Sequence, residues 1–76
     1  METTYMVIGP HFEIEVLKIR DAVIEEYIDE YIEEYDLDYQ TFFKDLFTSW
    51  CADDFGWSKV YNVYELTEDN NWMNLF

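Results

Sequence analysis

The chain has 76 residues, of which half are hydrophobic and 21% are aromatic, and it carries a net charge of −14 from 18 acidic and four basic side chains. This length fits one domain over residues 1–76, and the aromatic content excludes a disordered acidic tail. The charge disfavours direct contact with nucleic acid and with anionic membranes, because phosphates would repel it, and it favours basic proteins as partners.

The N-terminal segment is predicted to form a β-hairpin. Residues 3–8 are rich in strand-forming side chains, and Gly9-Pro10 then interrupts the chain. Phe12, Ile14 and Val16 alternate with glutamates, which is the period of a half-buried strand. A helix that begins just after Pro10 is the alternative for residues 11–17, since proline is tolerated in a first helical turn.

The next stretch, residues 24–36, reads I-E-E-Y-I-D-E-Y-I-E-E-Y-D and has the spacing of an amphipathic helix. The helix is expected to begin near residues 18–21, with Asp21 as its N-cap or in its first turn. Its apolar positions span an arc of roughly 140°, and they are Ile24, Tyr27, Ile28, Tyr31, Ile32 and Tyr35.

A second helix is predicted over residues 37–55, with Asp38 as its N-cap, Leu37 and Phe42 as a hydrophobic staple, and Gly56 at its C-terminal end. Residues 57–66 return to strand-forming chemistry and are predicted to pair with the hairpin. Residues 67–71 form a turn cluster, and residues 72–76 are an apolar tail of undefined form. The predicted fold is therefore a small α+β domain, with a mostly α fold as the alternative.

The polar face of the first helix is purely acidic, because no lysine or arginine lies between Arg20 and Lys44. Like charges four residues apart destabilise a helix by about 0.2–0.5 kcal/mol per pair, so a cationic partner for this face is one reason to keep them. Seven carboxylates over ~17 Å of helix give one charge per ~2.4 Å, against one per ~1.7 Å in duplex DNA. They belong to Glu25, Glu26, Asp29, Glu30, Glu33, Glu34 and Asp36.

The tyrosines of this helix have two interpretations. Tyr27, Tyr31 and Tyr35 are spaced four residues apart, so they either pack in the core or stack against arginine side chains of a partner. Trp57 and Trp72 have the same two interpretations, as core residues or as binding hot spots.

Catalysis, a cofactor and a dedicated metal site are not expected. His11 is the only histidine, and Cys51, the only cysteine, lies on the apolar stripe of the second helix, where a buried and inert thiol is expected. A single cysteine allows no intrachain disulfide, which fits a reducing cytoplasm. No signal peptide and no membrane-spanning run are recognised.

In size, acidity, aromatic content and the acidic helix Glu25 to Asp36, the chain resembles the small phage-encoded inhibitors that mimic DNA: anti-CRISPR, anti-restriction and uracil-DNA glycosylase inhibitor proteins. The resemblance implies a protein, in the cytoplasm of an infected bacterium, that blocks the DNA channel of a CRISPR effector or, failing that, of a restriction or DNA repair enzyme. The seven carboxylates above, together with Tyr27 and Tyr31, are the expected partner-binding residues. The alternative function is an acidic interaction module, such as an antitoxin or an adaptor for a basic partner. Monomer and homodimer both remain open.

Overall fold

The computed structural model describes residues 1–32, 34 and 38–76, and within them it has an antiparallel sheet of four strands and two helices. The α+β prediction is therefore confirmed, and the mostly α alternative is wrong. In chain order the elements are β1 (Glu2–Ile8), β2 (Ile14–Arg20), α1 (Asp21–Tyr27), α2 (Tyr39–Phe55), β3 (Asn62–Leu66) and β4 (Trp72–Asn74).

The predicted hairpin is formed by β1 and β2, which pair from Glu2 and Arg20 down to Ile8 and Ile14. The turn between them closes where the Gly9 N–H donates to the Glu13 carbonyl oxygen at 2.8 Å. Residues 11–17 therefore form a turn and a strand, so the helical alternative for them is wrong. Gly9 has no room for a side chain, because a Cβ there would lie 2.8 Å from two ring atoms of Trp57.

The rest of the sheet follows the order β2-β1-β3-β4. The predicted third strand, β3, pairs with β1, with Val7 opposite Val63. The sequence did not predict β4, which forms after the turn at residues 67–71 and pairs Trp72 with Leu66. The turn closes with a hydrogen bond of 2.8 Å from the Thr67 N–H to the Asn71 carbonyl oxygen.

The helices cover one face of the sheet, because alternate strand residues point toward them. Tyr5, Val7 and Val63 are buried on this face against Phe47 and Cys51 of α2. Trp57 and Val60, which follow α2, complete this core. A smaller cluster joins α1 to α2 through Ile24, Phe42 and Leu46.

Both ends of α2 match the prediction. The Asp38 carboxylate accepts a hydrogen bond of 2.7 Å from the Thr41 N–H, as an N-cap does. Gly56 ends the helix in the left-handed region, with φ of 69°, and its N–H donates to the Ala52 carbonyl oxygen. The proposed staple residue Leu37 lies outside the described residues.

The first helix differs from its prediction. It begins at Asp21, whose carboxylate lies in the first turn and accepts a hydrogen bond from the Thr3 hydroxyl. The expected α-helix continues only to Tyr27, and Ile28–Ile32 is π-helical. The reason is visible in the repeat I-E-E-Y, I-D-E-Y, I-E-E-Y, whose period is four residues rather than 3.6. An α-helix has 3.6 residues per turn and a π-helix has more. A helix that contains both therefore keeps residues that are four apart in the sequence on the same side.

Candidate functional site

Five of the predicted partner-binding carboxylates form an exposed surface, with two on α1, two on the π-helical segment Ile28–Ile32 and one at Glu34, two residues beyond that segment. We call this surface the acidic wall. Glu33, Tyr35 and Asp36, which the sequence also assigned to this helix, lie outside the described residues. The members of the acidic wall are Glu25, Glu26, Asp29, Glu30 and Glu34.

The acidic wall is held in place by the apolar residues on the opposite side of the same helix. Ile24 is 6% exposed and packs with Phe42 and Leu46 of α2. Ile28 and Ile32 are partly buried against the same cluster. Because this side is fixed to α2, the glutamates and the aspartate must point to solvent.

The chain's own bases do not neutralise the acidic wall. Lys18 and Arg20 lie on β2, Lys44 lies on α2, and the Lys59 ammonium lies 4.4 Å from the centre of the Tyr61 ring. Within residues 1–32, 34 and 38–76, none of these four bases forms an ion pair with a carboxylate. The negative charge of the wall is therefore left for solvent ions or for a partner.

A groove of about 530 Å³ lies beside the acidic wall, between the first helix and α2. We call it the aromatic groove. Among the described residues, the rings of Tyr27, Tyr31, Phe42 and Trp50 line it, and so do the carboxylates of Asp45 and Asp53. A cavity with aromatic walls and carboxylates suits a guanidinium or an ammonium group, because ring faces attract cations.

The two described tyrosines of the first helix, Tyr27 and Tyr31, differ in burial. Tyr27 is partly buried, and its ring centre lies 5.8 Å from that of Trp50 in an edge-to-face contact. Tyr31 is 38% exposed and stacks on Tyr27 with ring centres 5.8 Å apart. Tyr27 thus attaches the wall to the core, while Tyr31 presents aromatic surface at the groove.

Sequence reasoning missed the two carboxylates of the groove. Asp45 and Asp53 are eight residues apart on α2, with Ser49 midway, so the three fall on one side of that helix. This polar row adjoins the apolar stripe that contains Leu46 and Trp50. The signal was present in the sequence, but it points to a groove only once the position of the first helix is known.

Four other candidates are described by their surroundings. Trp57 is 9% exposed and packs in the core, so it is not a surface hot spot, whereas Trp72 is 43% exposed. Cys51 is fully buried, and burial together with Asp54 and Glu15 raises the pKa of its thiol to about 11, as expected for an inert cysteine. His11 is exposed in the hairpin turn.

Among the residues with described positions, no three His, Cys, Asp or Glu side chains are grouped so that they could hold a metal ion. In the same part of the chain, no helix combines the length and apolar character that crossing a membrane requires. No protein-family model, characterised protein or solved structure matches this chain.

Proposed function

We propose that this protein is a DNA-mimicking inhibitor that occupies the nucleic-acid-binding channel of a host defence protein, with a CRISPR effector as the first candidate. Restriction and DNA repair enzymes are the next candidates, because their channels also hold phosphates with arginine and lysine side chains. In this proposal the protein catalyses no reaction and acts by blocking the entry of DNA.

The observation that carries the proposal is the unpaired acidic wall. Glu26, Glu30 and Glu34 are all exposed and follow one another at four-residue spacing in the sequence. Their mutual repulsion opposes folding, and no base of the described chain relieves it. A binding site for phosphates would offset this repulsion with its own cations.

The aromatic groove supplies a second kind of contact. An arginine side chain that reaches the wall can place its guanidinium on the exposed Tyr31 ring, with Asp45 and Asp53 nearby. Arginine stacks on aromatic rings and binds carboxylates through two parallel hydrogen bonds, which a compact lysine ammonium does not do. The proposed partner surface is therefore richer in arginine than in lysine.

The proposal is tested by capturing partners from a bacterial host lysate at low salt and releasing them with a salt step. We expect the released protein to bind nucleic acid, and we expect DNA to compete with the inhibitor for it. A partner that binds DNA and the inhibitor simultaneously would contradict the proposal.

A matched pair of variants separates the wall from overall charge. E26K/E30K and E68K/D69K each change the net charge from −14 to −10, because two acids become two bases. Glu68 and Asp69 are exposed in the turn between β3 and β4, away from the first helix. We expect only E26K/E30K to lose the partner.

The alternative is an acidic interaction module without DNA mimicry, such as an antitoxin or an adaptor. The exposed Trp72 on β4 favours this candidate, because an exposed tryptophan is a frequent binding hot spot. Under this alternative, W72S abolishes capture of the partner and E26K/E30K retains it.

A further inference from the structure

The second face of the sheet is apolar, and none of the described helices covers it. Since Tyr5 and Val7 point toward the helices, the intervening Met6 and the following Ile8 point away from them. The strand register places Val16 and Tyr64 beside Met6, and Ile14 beside Ile8. We call this surface the outer sheet face. Its apolar members are Met6, Ile8, Ile14, Val16, Tyr64, Leu66 and Trp72.

Three of these seven apolar residues are largely open to solvent, and Met6, Ile8, Tyr64 and Leu66 are partly buried. Ile14 is 61% exposed, Val16 is 55% exposed and Trp72 is 43% exposed. None of the seven apolar residues belongs to either core cluster or packs against one. Contiguous apolar surface on this scale marks an interaction site, because monomeric proteins rarely leave it uncovered.

The outer sheet face also carries little acidic charge. Its strands contribute one acid, Glu2, and two bases, Lys18 and Arg20, so the face carries a net charge of +1. The acidic wall and Asp45 and Asp53 lie in the helical layer, on the opposite side of the sheet. A second chain with a charge of −14 therefore meets the least repulsion when it approaches this face.

We propose that two copies of this chain associate through their outer sheet faces. The dimer has four layers, helices, sheet, sheet and helices, with the two sheets packed ~10 Å apart. The two acidic walls then lie on opposite outer surfaces, where their mutual repulsion is smallest and each can bind a separate partner. A two-fold axis pairs the face with itself, so an apolar centre meets an apolar centre.

The dimensions of the sheet fit a small contact. With strands ~4.8 Å apart and ~3.3 Å per residue, the seven, seven, five and three residues of β1, β2, β3 and β4 give a projected footprint of roughly 350 Å². The accessible area of that footprint exceeds its projected area once the relief of the side chains is included. The dimer interface therefore belongs with the small ones, which bury less than ~1,200 Å² in total.

The dimer is tested by sedimentation equilibrium of the full chain over a range of protein concentrations, at about 0.1 M and about 1 M salt. The Debye length falls from ~10 Å to ~3 Å between these conditions, so repulsion between the two chains weakens. We expect the dissociation constant of the dimer to be at least several-fold lower at the higher salt. A folded wild-type chain that stays monomeric at every concentration and salt would overturn the proposal.

Lysine substitutions locate the interface. V16K and I14K each place a charge on the outer sheet face, whereas Y39K makes a similar change at the 61% exposed first residue of α2. All three lower the net negative charge, so weaker association cannot arise from greater overall repulsion. We expect V16K and I14K to be folded monomers and Y39K to dimerise like the wild type.

The circular dichroism spectrum and thermal melt of each variant check that it is folded. Because the two substitutions lie at different positions of β2, the test still works if one variant misfolds. Normal dimerisation by either folded outer-face variant would contradict the assignment. Failure of the dimer can be distinguished from failure of the proposed function, because added salt strengthens the dimer but weakens the binding of a cationic partner. An arginine-rich peptide therefore still binds V16K if the acidic wall acts as proposed.

Discussion

Tyr27 and Trp50 meet edge to face, with ring centres 5.8 Å apart and ring planes at 75°. This contact joins the helix that bears the acidic wall to α2, the helix that packs on the sheet. The same two rings also line one side of the aromatic groove. The charge pattern of the first helix is thus attached to a rigid layer, and the same two rings that attach it line the groove.

The first prediction concerns the stability cost of the acidic wall. We expect E26K/E30K to unfold at a higher urea concentration than the wild type at low salt, by about 0.2–0.5 kcal/mol for each like-charge pair removed. E68K/D69K serves as the control for overall charge, and it should gain less. Equal stability for the two variants would mean that the wall carries no local repulsion.

The second prediction concerns the aromatic groove. We expect D45N/D53N to bind an arginine-rich peptide more weakly than the wild type, while a lysine-rich peptide of equal charge loses less, because a guanidinium can both stack on the rings and bind a carboxylate through two parallel hydrogen bonds. Heteronuclear NMR, which follows the indole N–H of Trp50, measures both affinities. The control D53N/D54N removes the same charge but changes only one groove residue, because Asp54 does not line the groove. If both variants lost the same affinity for both peptides, the groove would not be part of the binding site.

The third prediction compares two glycine substitutions that fail for different reasons. G9A brings a Cβ within 2.8 Å of the buried Trp57 ring and should cost about 1–3 kcal/mol, as overpacking does. G56A has open space but a φ of 69°, so it should cost about 1–2 kcal/mol from backbone strain. Asparagine tolerates that backbone region, so G56N should be milder than G56A, whereas G9N should be no better than G9A. Urea titrations give all four values, and the opposite order would contradict the two causes.

The fourth prediction concerns alkaline pH. Burial, with the nearby charges of Glu65 and Asp21, raises the pKa of Tyr5 from 10.0 to about 12. The unfolded chain therefore loses this proton first, so the contribution to stability is complete below about pH 10 and is lost as the pH rises through about 12. We expect Y5F to lose less stability than the wild type between pH 10 and pH 12, as measured by urea unfolding. Identical pH profiles would show that Tyr5 is not the group responsible.

Local chemistry made much of the fold predictable. The alternation around Ile14 and Val16, the punctuation at Gly9-Pro10, the Asp38 N-cap and the Gly56 C-terminal cap each depend on neighbouring residues, and each prediction is confirmed. The fourth strand was missed because Trp72–Asn74 has only three residues and depends on β3 for its pairing. A strand this short has no period of its own to detect.

The π-helical turn was missed for a different reason. A period of four residues is close enough to 3.6 to be taken for an α-helix over a short window, and the error accumulates only over successive turns. The repeated Ile-Glu-Glu-Tyr unit was the available signal. The outer sheet face was also not predicted from the sequence. Residues such as Met6 and Val16 are as apolar as those of the core, and only the structure shows which side of the sheet the helices cover.

The affinity of the captured partner for this chain, measured over a series of salt concentrations, tests the acidic wall most directly. The account predicts affinity that falls steeply as salt rises, with a clearly shallower dependence for E26K/E30K than for E68K/D69K. An affinity that hardly changes with salt, or an equal dependence for the two variants, would contradict it.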